Sequence, residues 1–405
     1  MAERRPPLHG VRVLDLTRFV AGPYCTMLLA DQGADVVKVE PFGGEDTRAL
    51  DVKLDGVSTY FLRFNRSKKS ICVDLKHAEG RGVLERLVRS ADVLVENFRP
   101  GVLERLGFGW PRLRELNPRL IYATITGFGH SPSPYRDRAA FTPIVEGVAG
   151  TVIYRNEDEP PTITGYPVGD IFPASLAAGA IGMALYRRTH DNEGARIDMA
   201  MYDAMVSMNE RAVGMAGMVG RDFLPGRASD LGSAPSGVFQ ASDGFLSISV
   251  VGDRIWERFC AAIERPDWTE DERLATGPGR AAHFQDVIKP GMETWLAART
   301  RGEAVERLSE AGVPAAEVAR PLEILDAPQA RARDMIIEYR AAENGVTAKV
   351  VGNPIRFEGE DKLEPGDAPV LGQHTVEVLR EWAELGDEEI DALLAAPAIR
   401  QAGRS

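Results

Sequence analysis

The first half of the chain alternates between short apolar runs and longer segments whose apolar residues recur at helical spacing. The short runs are rich in Val, Ile and Leu, as buried parallel strands are. We predict strands at residues 11–16, 35–40, 69–75, 92–98, 121–129 and 196–201. Helices are predicted between several of them, at residues 22–33, 78–91 and 99–120. Because strands and helices alternate, the pattern predicts an α/β fold with an open, doubly wound parallel sheet.

The pattern changes after Arg221 to loop, short strands and helices. We therefore predict a Rossmann-like large domain begun by residues 1–221, a smaller α+β domain at 222–325, and a C-terminal part, 326–405, that returns to the large domain. Within that last part, the Asn-Gly pair at 344–345 predicts the turn of a β-hairpin. Residues 130–160, rich in Pro, Arg and acidic residues, predict an irregular excursion.

A long helix is predicted within the run GYPVGDIFPASLAAGAIGMALYRR, residues 165–188, where a single acidic residue, Asp170, precedes a series of small and apolar residues. An acidic residue at a helix start can cap the free N–H groups. It can also react, because those N–H groups favour the carboxylate anion and can hold a developing oxyanion. The residues alone leave both interpretations open.

Composition narrows the classes of partner. The chain has 405 residues and a formal net charge of −12, so neither nucleic acid nor an anionic membrane is expected as a partner. Its three widely spaced cysteines predict neither a disulfide framework nor a zinc site, and no metal is expected. The sequence shows no secretory signal and no apolar run of about 20 residues, which predicts a cytoplasmic protein.

Two phosphate-binding fingerprints are missing from the sequence. Neither GxGxxG after a strand nor GxxxxGK followed by Ser or Thr occurs, which argues against a nicotinamide-dependent dehydrogenase. Basic residues nevertheless gather near predicted strand ends in the first part of the chain, where an anionic small molecule could bind. They are Lys68, Lys69, Lys76, Arg99 and Arg105.

Several segments, in this order, carry a resemblance to a known family. They are LDLTRFVAGPYCTMLLADQGADVVKVE (14–40), NRSKKSICVDLK (65–76), DVLVENFRPGVLERLGFG (92–109), VGDIFPASLAAGAIGMALYRR (168–188), GVPAAEV (312–318) and LGQHT (371–375). Together they resemble the family III CoA-transferases over nearly the whole chain. The resemblance implies an interlocked homodimer, in which each subunit has a Rossmann-like large domain made from both chain ends and a small domain from the middle.

The resemblance also implies roles for individual residues. Asp170 matches the nucleophile, which exchanges CoA between two carboxylic acids through an aspartyl anhydride and an aspartyl-CoA thioester. Lys76 and Arg105 match the phosphate partners of CoA. The other matched positions would line the path of the nucleotide, the pantetheine arm and the thioester, and they are Phe19, Val20, Val73, Asn97, Phe98, Leu106 and Met201. The implied partners are an acyl-CoA and a small carboxylate, both of them substrates, with no further cofactor.

Alternatives within the same fold stay open. The α-methylacyl-CoA racemases need two acid–base groups that face each other across the substrate α-carbon. Where the racemases have the histidine of a His-Asp pair, this chain has Phe141, and the nearest histidine, His130, is expected to be a surface or loop residue. A transferase is therefore favoured over a racemase. The retention of Asp170 argues against a non-catalytic acyl-CoA-binding protein.

The small domain bears on the identity of the acid. The oxalate-specific members carry a run of glycines there, whereas this chain has LGSAPSGVF at 231–239. We therefore expect an acid other than oxalate, and this Ser/Gly segment could still act as a mobile lid. Succinyl-CoA as donor, with a dicarboxylic or hydroxy acid as acceptor, fits the resemblance better, but the residues do not identify the acid.

Overall fold

The structure, a computed structural model, describes residues 5–154, 159–224, 234–360 and 362–403. The chain divides into two compact units. The large unit comprises Met1–Thr151, Ile163–Glu210 and Pro328–Ser405, and the small unit comprises Val152–Thr162 and Arg211–Ala327. The domain limits predicted from the sequence stay predictions.

The strands of the described residues are short. They are, in chain order, β1 Arg12–Asp15, β2 Asp35–Glu40, β3 Lys53–Leu54, β4 Val57–Ser58, β5 Lys69–Val73, β6 Val93–Glu96, β7 Ile121–Thr126, β8 Ala195–Ala200, β9 Ser236–Ala241, β10 Gly244–Ser249, β11 Ala315–Glu317, β12 Ile336–Arg340, β13 Thr347–Val351 and β14 Ile399–Arg400.

The α-helices range from single turns to one long helix. They are α1 Ala21–Ala30, α2 Thr59–Phe64, α3 Ala78–Ser90, α4 Val102–Arg105, α5 Trp110–Leu116, α6 Thr142–Val148, α7 Val168–Asp191, α8 Met201–Met208, α9 Glu210–Val219, α10 Asp253–Ala262, α11 Asp267–Glu270, α12 Gly277–Ala282, α13 Lys289–Ala297, α14 Arg301–Glu310, α15 Pro321–Ile324, α16 Pro328–Ala332, α17 Thr375–Glu381 and α18 Asp387–Ala395. The described residues also contain two 3₁₀ turns, Asp46–Arg48 and Glu272–Leu274, and a π-helical turn, Phe284–Ile288.

Seven strands form the central sheet of the large unit, in the order β14-β5-β2-β1-β6-β7-β8. Neighbours from β5 to β8 pair in parallel, and β14 runs antiparallel beside β5. This confirms the predicted α/β fold with a parallel sheet. Numbered along the chain, the six parallel strands have the order 3-2-1-4-5-6, so the winding reverses between β1 and β6. Ligands of open α/β sheets bind at the carboxyl ends of the strands at such a reversal.

Helices cover both faces of the sheet because each face presents a continuous apolar surface. On one face, α3, α5, α17 and α18 pack against a core that includes Leu14, Ile71 and Leu94. On the other face, α1, α7 and α8 pack against a core that includes Val13, Val93 and Ile125. The alternation of neighbouring residues such as Val13 and Leu14 between the two cores follows from the two-residue period of a strand.

Helix α7 packs against α1, β7 and β8. Its packed face is made mostly of alanine, which lets helices approach closely, and includes Ala174, Ala177, Ile181 and Ala184. Its other face leaves large apolar side chains exposed, namely Leu176, Met183 and Tyr186. By length and composition α7 could cross a bilayer, with a mean hydropathy of 1.5, which corrects the expectation that no apolar run is long enough. A helix packed in the core of a globular protein meets the same criterion.

The small unit is built around a three-stranded sheet in the order β11-β10-β9. Helices such as α10, α13 and α14 pack on it around a core that includes Leu246, Phe259 and Leu308. Trp256 and Trp268 stack within this core, with ring centroids 5.9 Å apart. Residues 231–239 are the segment that could act as a lid. Residues 231–233 lie outside the described residues, and residues 234–239 include the start of β9.

Two local predictions have different outcomes. The hairpin around Asn344 is confirmed, because β12 and β13 pair antiparallel and Gly345 has φ +74° in the turn. The irregular excursion predicted at 130–160 is wrong in part, because it contains α6, with Pro143 in its first turn. Proline at that place is a helix-start signal, since its missing N–H has no partner there anyway.

Candidate active site

The loop between β1 and α1, residues 16–20, lies at the reversal of the sheet and has an unusual backbone. Phe19 has φ +64°, in the left-handed region that bulky residues rarely adopt. Its N–H donates to the Glu45 carboxylate at 3.3 Å. Asn97, directly after β6, donates to the Arg18 carbonyl at 2.7 Å and accepts from the Arg18 N–H at 2.8 Å. The loop is thus held from two sides in a strained conformation, as is common at functional sites.

A buried charged cluster anchors this loop. Asp15, at the end of β1, accepts from the Lys68 ammonium at 2.9 Å and lies 4.0 Å from that of Lys38. Lys38 also donates to the carbonyl of Thr17 at 2.8 Å. Burial alone would raise the pKa of Asp15, but both ammonium groups and the hydroxyls of Thr17 and Thr26 hold that pKa well below its usual range. Burial lowers the pKa of Lys68 to about 8, against the attraction of Asp15.

These ion pairs correct the expectation that Lys68 and Lys69 are available to an anionic ligand. Lys68 is fully buried against Asp15. The Lys69 ammonium lies 3.5 Å from the carboxylate of Asp35 and 3.2 Å from that of Glu377. The basic residues near the strand ends that remain exposed, without an ion pair to any described residue, are Lys76, Arg99 and Arg105.

Asp170 is the third residue of α7, whose N-cap is Pro167, so Asp170 does not occupy the capping position. Its Oδ2 accepts a hydrogen bond from Thr142 Oγ1 at 2.5 Å, and no described residue donates to its Oδ1. Burial raises the pKa of Asp170, and the bond from Thr142 opposes that rise in part. The carboxylate is therefore poorly solvated and keeps one oxygen free, which suits a nucleophile better than a capping group.

Asp170 and the loop 16–20 lie at the same edge of the sheet. Because α7 leads into the parallel strand β8, it starts at the carboxyl edge. Phe141, next to Thr142 in sequence, meets Phe19 edge to face with ring centroids 5.9 Å apart. Tyr60, in α2, is within electrostatic reach of Asp170, since burial raises the pKa of Tyr60 and the charge of Asp170 raises it further. A carboxylate, a strained loop and aromatic side chains therefore meet in one region.

Three residues of this region were missed from the sequence, namely Glu45, Tyr60 and Thr142. Thr142 and Asp170 are 28 positions apart, and no local pattern links them. The usable signal for Thr142 was the Thr-Pro pair that starts α6. Glu45 and Tyr60 have no distinguishing sequence context, because acidic and aromatic residues are common in loops and short helices.

The other residues predicted to bind CoA lie at or after the ends of strands at this edge, but they differ in exposure. Lys76 and Arg105 are exposed, whereas Phe98 and Leu106 are half-buried against the core. Three more are buried in the chain as it stands, namely Val20, Val73 and Met201. Asn97 is occupied by the backbone of Arg18. Their contacts with a ligand stay predictions.

The positions relevant to a racemase are also visible. Phe141, which stands where a catalytic histidine is expected, has 59% of its surface exposed. His130 was expected to be a surface or loop residue, and it lies in the loop after β7 but is only 7% exposed. Within the described ranges, no group of three or more His, Cys, Asp or Glu side chains is placed to hold a metal ion.

The LGQHT segment has a structural role. The N–H of Gly372 donates to Ser70 Oγ at 3.0 Å, and His374 Nδ1 accepts from the N–H of Ser70 at 3.2 Å. Thr375 Oγ1 accepts from the N–H of Cys72 at 3.1 Å. These bonds attach the C-terminal part of the chain to β5 in the large unit.

Known proteins are similar to this chain over nearly its whole length. The sequence model of CoA-transferase family III matches residues 8–375. The chain is 34% identical to a formyl-CoA:oxalate CoA-transferase of Rhodopseudomonas palustris, over 98% of this chain and 99% of that protein. It is 38% identical to a succinyl-CoA:mesaconate CoA-transferase of Haloarcula hispanica, over 92% of this chain and 96% of that protein.

Solved structures show the same similarity. A CAIB/BAIF family protein from Brucella suis matches with a TM-score of 0.82 and 31% identity, over 94% of this chain and 100% of that one. A hypothetical protein from Mycobacterium tuberculosis matches with a TM-score of 0.81 and 31% identity, over 93% of this chain and 99% of that one. The chain therefore belongs to CoA-transferase family III.

Proposed function

We propose that this CoA-transferase moves CoA from an acyl-CoA donor to a small carboxylic acid with Asp170 as the nucleophile. The observation that carries the proposal is the placement of Asp170, partly buried in the first turn of α7, with Oδ2 bonded to Thr142 and Oδ1 without a donor among the described residues. This carboxylate lies at the carboxyl edge of the sheet, where the winding reversal favours ligand binding.

The proposed exchange needs no group beyond the substrates and Asp170. An oxygen of Asp170 attacks the thioester carbonyl and the C–S bond breaks. This releases CoA thiolate and forms a mixed anhydride between Asp170 and the donor acid. The thiolate then attacks the aspartyl carbonyl, which releases the donor acid and forms an aspartyl-CoA thioester. The acceptor carboxylate attacks that thioester, and the thiolate finally attacks the acyl carbonyl of the new anhydride, which regenerates Asp170. Covalent catalysis of this kind divides one difficult step into easier ones.

Removing the hydroxyl of Thr142 tests how Asp170 is tuned. Because the bond from Thr142 lowers the pKa of a carboxyl that burial has raised, Thr142→Val is expected to raise that pKa further. Asp170 must be ionised to attack, so the acidic limb of the rate profile should move to higher pH, and kcat near neutral pH should fall about tenfold. Initial rates from pH 5 to 9 measure both changes. Thr142→Ser keeps the hydroxyl and should retain the wild-type profile, whereas an unshifted limb in Thr142→Val would contradict this role.

Arg105 is the exposed cation that we propose binds a CoA phosphate. Arg105→Ala is expected to raise KM for the acyl-CoA about five- to fiftyfold with little change in kcat, because a charge-assisted hydrogen bond is lost in ground state and transition state alike. Steady-state kinetics measure the change. Arg89→Ala, which removes another exposed arginine from the large unit, is the matched control. Equal KM values for the two variants would remove Arg105 from the binding site.

The proposed substrates are succinyl-CoA and a small dicarboxylic or hydroxy acid. The similarity to the Haloarcula hispanica enzyme, whose name states succinyl-CoA and mesaconate, supports this choice. The absence of the oxalate-specific glycine run from residues 231–239 supports it as well. An exchange screen of common acyl-CoA donors against small carboxylic acids, read by chromatography of the CoA esters, tests it. Solvent deuterium at the acyl α-carbon, without CoA exchange, would indicate a racemase instead.

We also propose that the chain works as a homodimer. The exposed apolar side chains of α7 support this, since they form a surface that a second copy could cover, and they are Leu176, Met183 and Tyr186. The interlocked form and the cytoplasmic location stay predictions. The mass of the purified protein in solution tests the assembly, and a monomer at micromolar concentration would overturn it.

A further inference from the structure

His130 is a buried residue whose environment the exchange reaction does not explain. It lies in the loop after β7, and neither ring nitrogen has a hydrogen-bond partner among the described residues. Buried polar groups are nearly always paired, so an unpaired imidazole calls for a physical reason.

The ring lies between two carboxylates on different elements. Nε2 is 3.5 Å from Oε1 of Glu96, the last residue of β6, and Nδ1 is 3.8 Å from Oε1 of Glu104 in α4. A neutral imidazole can donate from one nitrogen only, whereas an imidazolium donates from both. With both glutamates ionised, only the protonated ring can therefore bond to Glu96 and Glu104 together.

Glu96 connects this group to the segment predicted to bind CoA. Its Oε2 accepts from the backbone N–H of Phe98 at 2.6 Å, and its Oε1 accepts from the hydroxyl of Tyr122 at 2.9 Å. Residues 97–105 run from Glu96 to the end of α4 and include Arg105. Glu96 therefore bonds to the start of this segment, and Glu104 lies near its end.

The environment of the ring shifts the pKa values of His130 and Glu96 in opposite directions. Burial, followed by the charge of Arg196, lowers the pKa of His130. Burial also raises the pKa of Glu96 to about 7. The titratable and charged groups around the ring come from β6, α4, β7, β8 and its own loop, and they are Glu96, Glu104, Tyr122, Arg196, Asp198 and Arg136.

We propose that His130, Glu96 and Glu104 form a proton-linked clamp that closes on the CoA-binding segment. When the polyanionic CoA binds beside Arg105, its negative potential favours the imidazolium, His130 takes a proton from solvent, and the ring bonds to both glutamates. The clamp fixes residues 97–105, and His130 acts as a positioning residue. This inference rests on the proposed function, because it requires CoA at this segment.

Calorimetric titration of the wild-type protein with free CoA, which carries no acyl group to transfer, tests the clamp. Titrations in buffers of different ionisation enthalpy, between pH 6.5 and 8, count the protons taken up. We expect about 0.5 proton more in the wild type than in His130→Gln, and an affinity gain of about fivefold from pH 8 to 6.5 that the variant lacks. Protons that CoA itself gains or loses on binding contribute equally in both proteins, so they cancel in this comparison. His9 is an exposed histidine, so His9→Gln should show the same proton uptake and pH dependence of affinity as the wild type.

The outcomes separate the two proposals. Equal proton uptake in the wild type and His130→Gln, with CoA bound by both, would overturn the clamp and leave the proposed function standing. Failure of the wild type to bind CoA at any pH would overturn both. If His130→Gln does not fold, Glu104→Gln replaces it, since Glu104 is exposed. That variant should take up fewer protons than the wild type, and unchanged uptake would overturn the clamp.

Discussion

Asp170→Asn is expected to lower the rate of CoA exchange about a thousandfold or more, because the amide cannot form the anhydride or the aspartyl-CoA thioester. CoA should still bind, within about threefold of the wild-type affinity, since Asn keeps the size of the side chain and other residues make the proposed phosphate contacts. Exchange rates and a CoA titration on the same preparation measure both. Intact mass after incubation with an acyl-CoA should show a covalent adduct in the wild type and none in the variant.

A matched control separates reactivity from helix-start effects. Asp203 is also the third residue of a helix, α8, but it is exposed, and Asp203→Asn should keep nearly full exchange activity.

The stability of Asp170→Asn distinguishes loss of chemistry from misfolding. Because burial raises the pKa of Asp170, the folded state binds its proton more tightly than the unfolded state does. The stability from this group is therefore present below the unfolded pKa and lost as pH rises, so Asp170→Asn should be at least as stable as the wild type at neutral pH. Surviving exchange in Asp170→Asn would refute the assignment.

Asp15→Asn is expected to lower the free energy of unfolding by about 3–5 kcal/mol, because it leaves the buried ammonium of Lys68 without its carboxylate, whereas that of Lys38 keeps Glu45 at 3.7 Å. Chemical denaturation measures the loss. The double variant Asp15→Asn/Lys68→Met should recover part of it, since the charge left uncompensated is removed as well.

An exposed ion pair provides the control for Asp15. Asp51 pairs with Arg63 at 2.8 Å in a position open to solvent. Asp51→Asn should cost less than about 1 kcal/mol, because exposed pairs contribute little and Asn tolerates the left-handed backbone found there. A loss of the same size in Asp15→Asn and Asp51→Asn would show that the buried cluster is not the anchor described above.

The alternation of apolar runs was enough to predict the α/β class, because the period of two in strands and the spacing in helices are written locally. The order of the strands was not, because it depends on which strand pairs with which across the sheet. That order places the β1 loop beside the residues after β6, and so brings Arg18 and Asn97 into contact. The helix at 142–148 was missed because the composition around it is polar and irregular.

For charged residues, too, the sequence predicts their presence in a segment, whereas the packing decides which of them are buried or paired. Lys68, Lys69 and Lys76 look equivalent in the sequence, yet Lys68 is buried, Lys69 is paired with carboxylates and Lys76 is exposed. Burial depends on segments that are far apart, since Lys68 meets Asp15 across 53 positions. A local pattern reports how many charges a segment has but not which of them meet a counterion.

By itself the sequence determined the strands of the parallel sheet, the α/β class and, through its ordered motifs, the resemblance to the family and the position of the acidic residue at the start of α7. Only the tertiary structure decided that Asp170 is no cap, that Thr142 bonds to it, and that His130 is buried between two glutamates. Local patterns follow from the period of each element, whereas these contacts follow from the packing of elements that the chain brings together from distant positions.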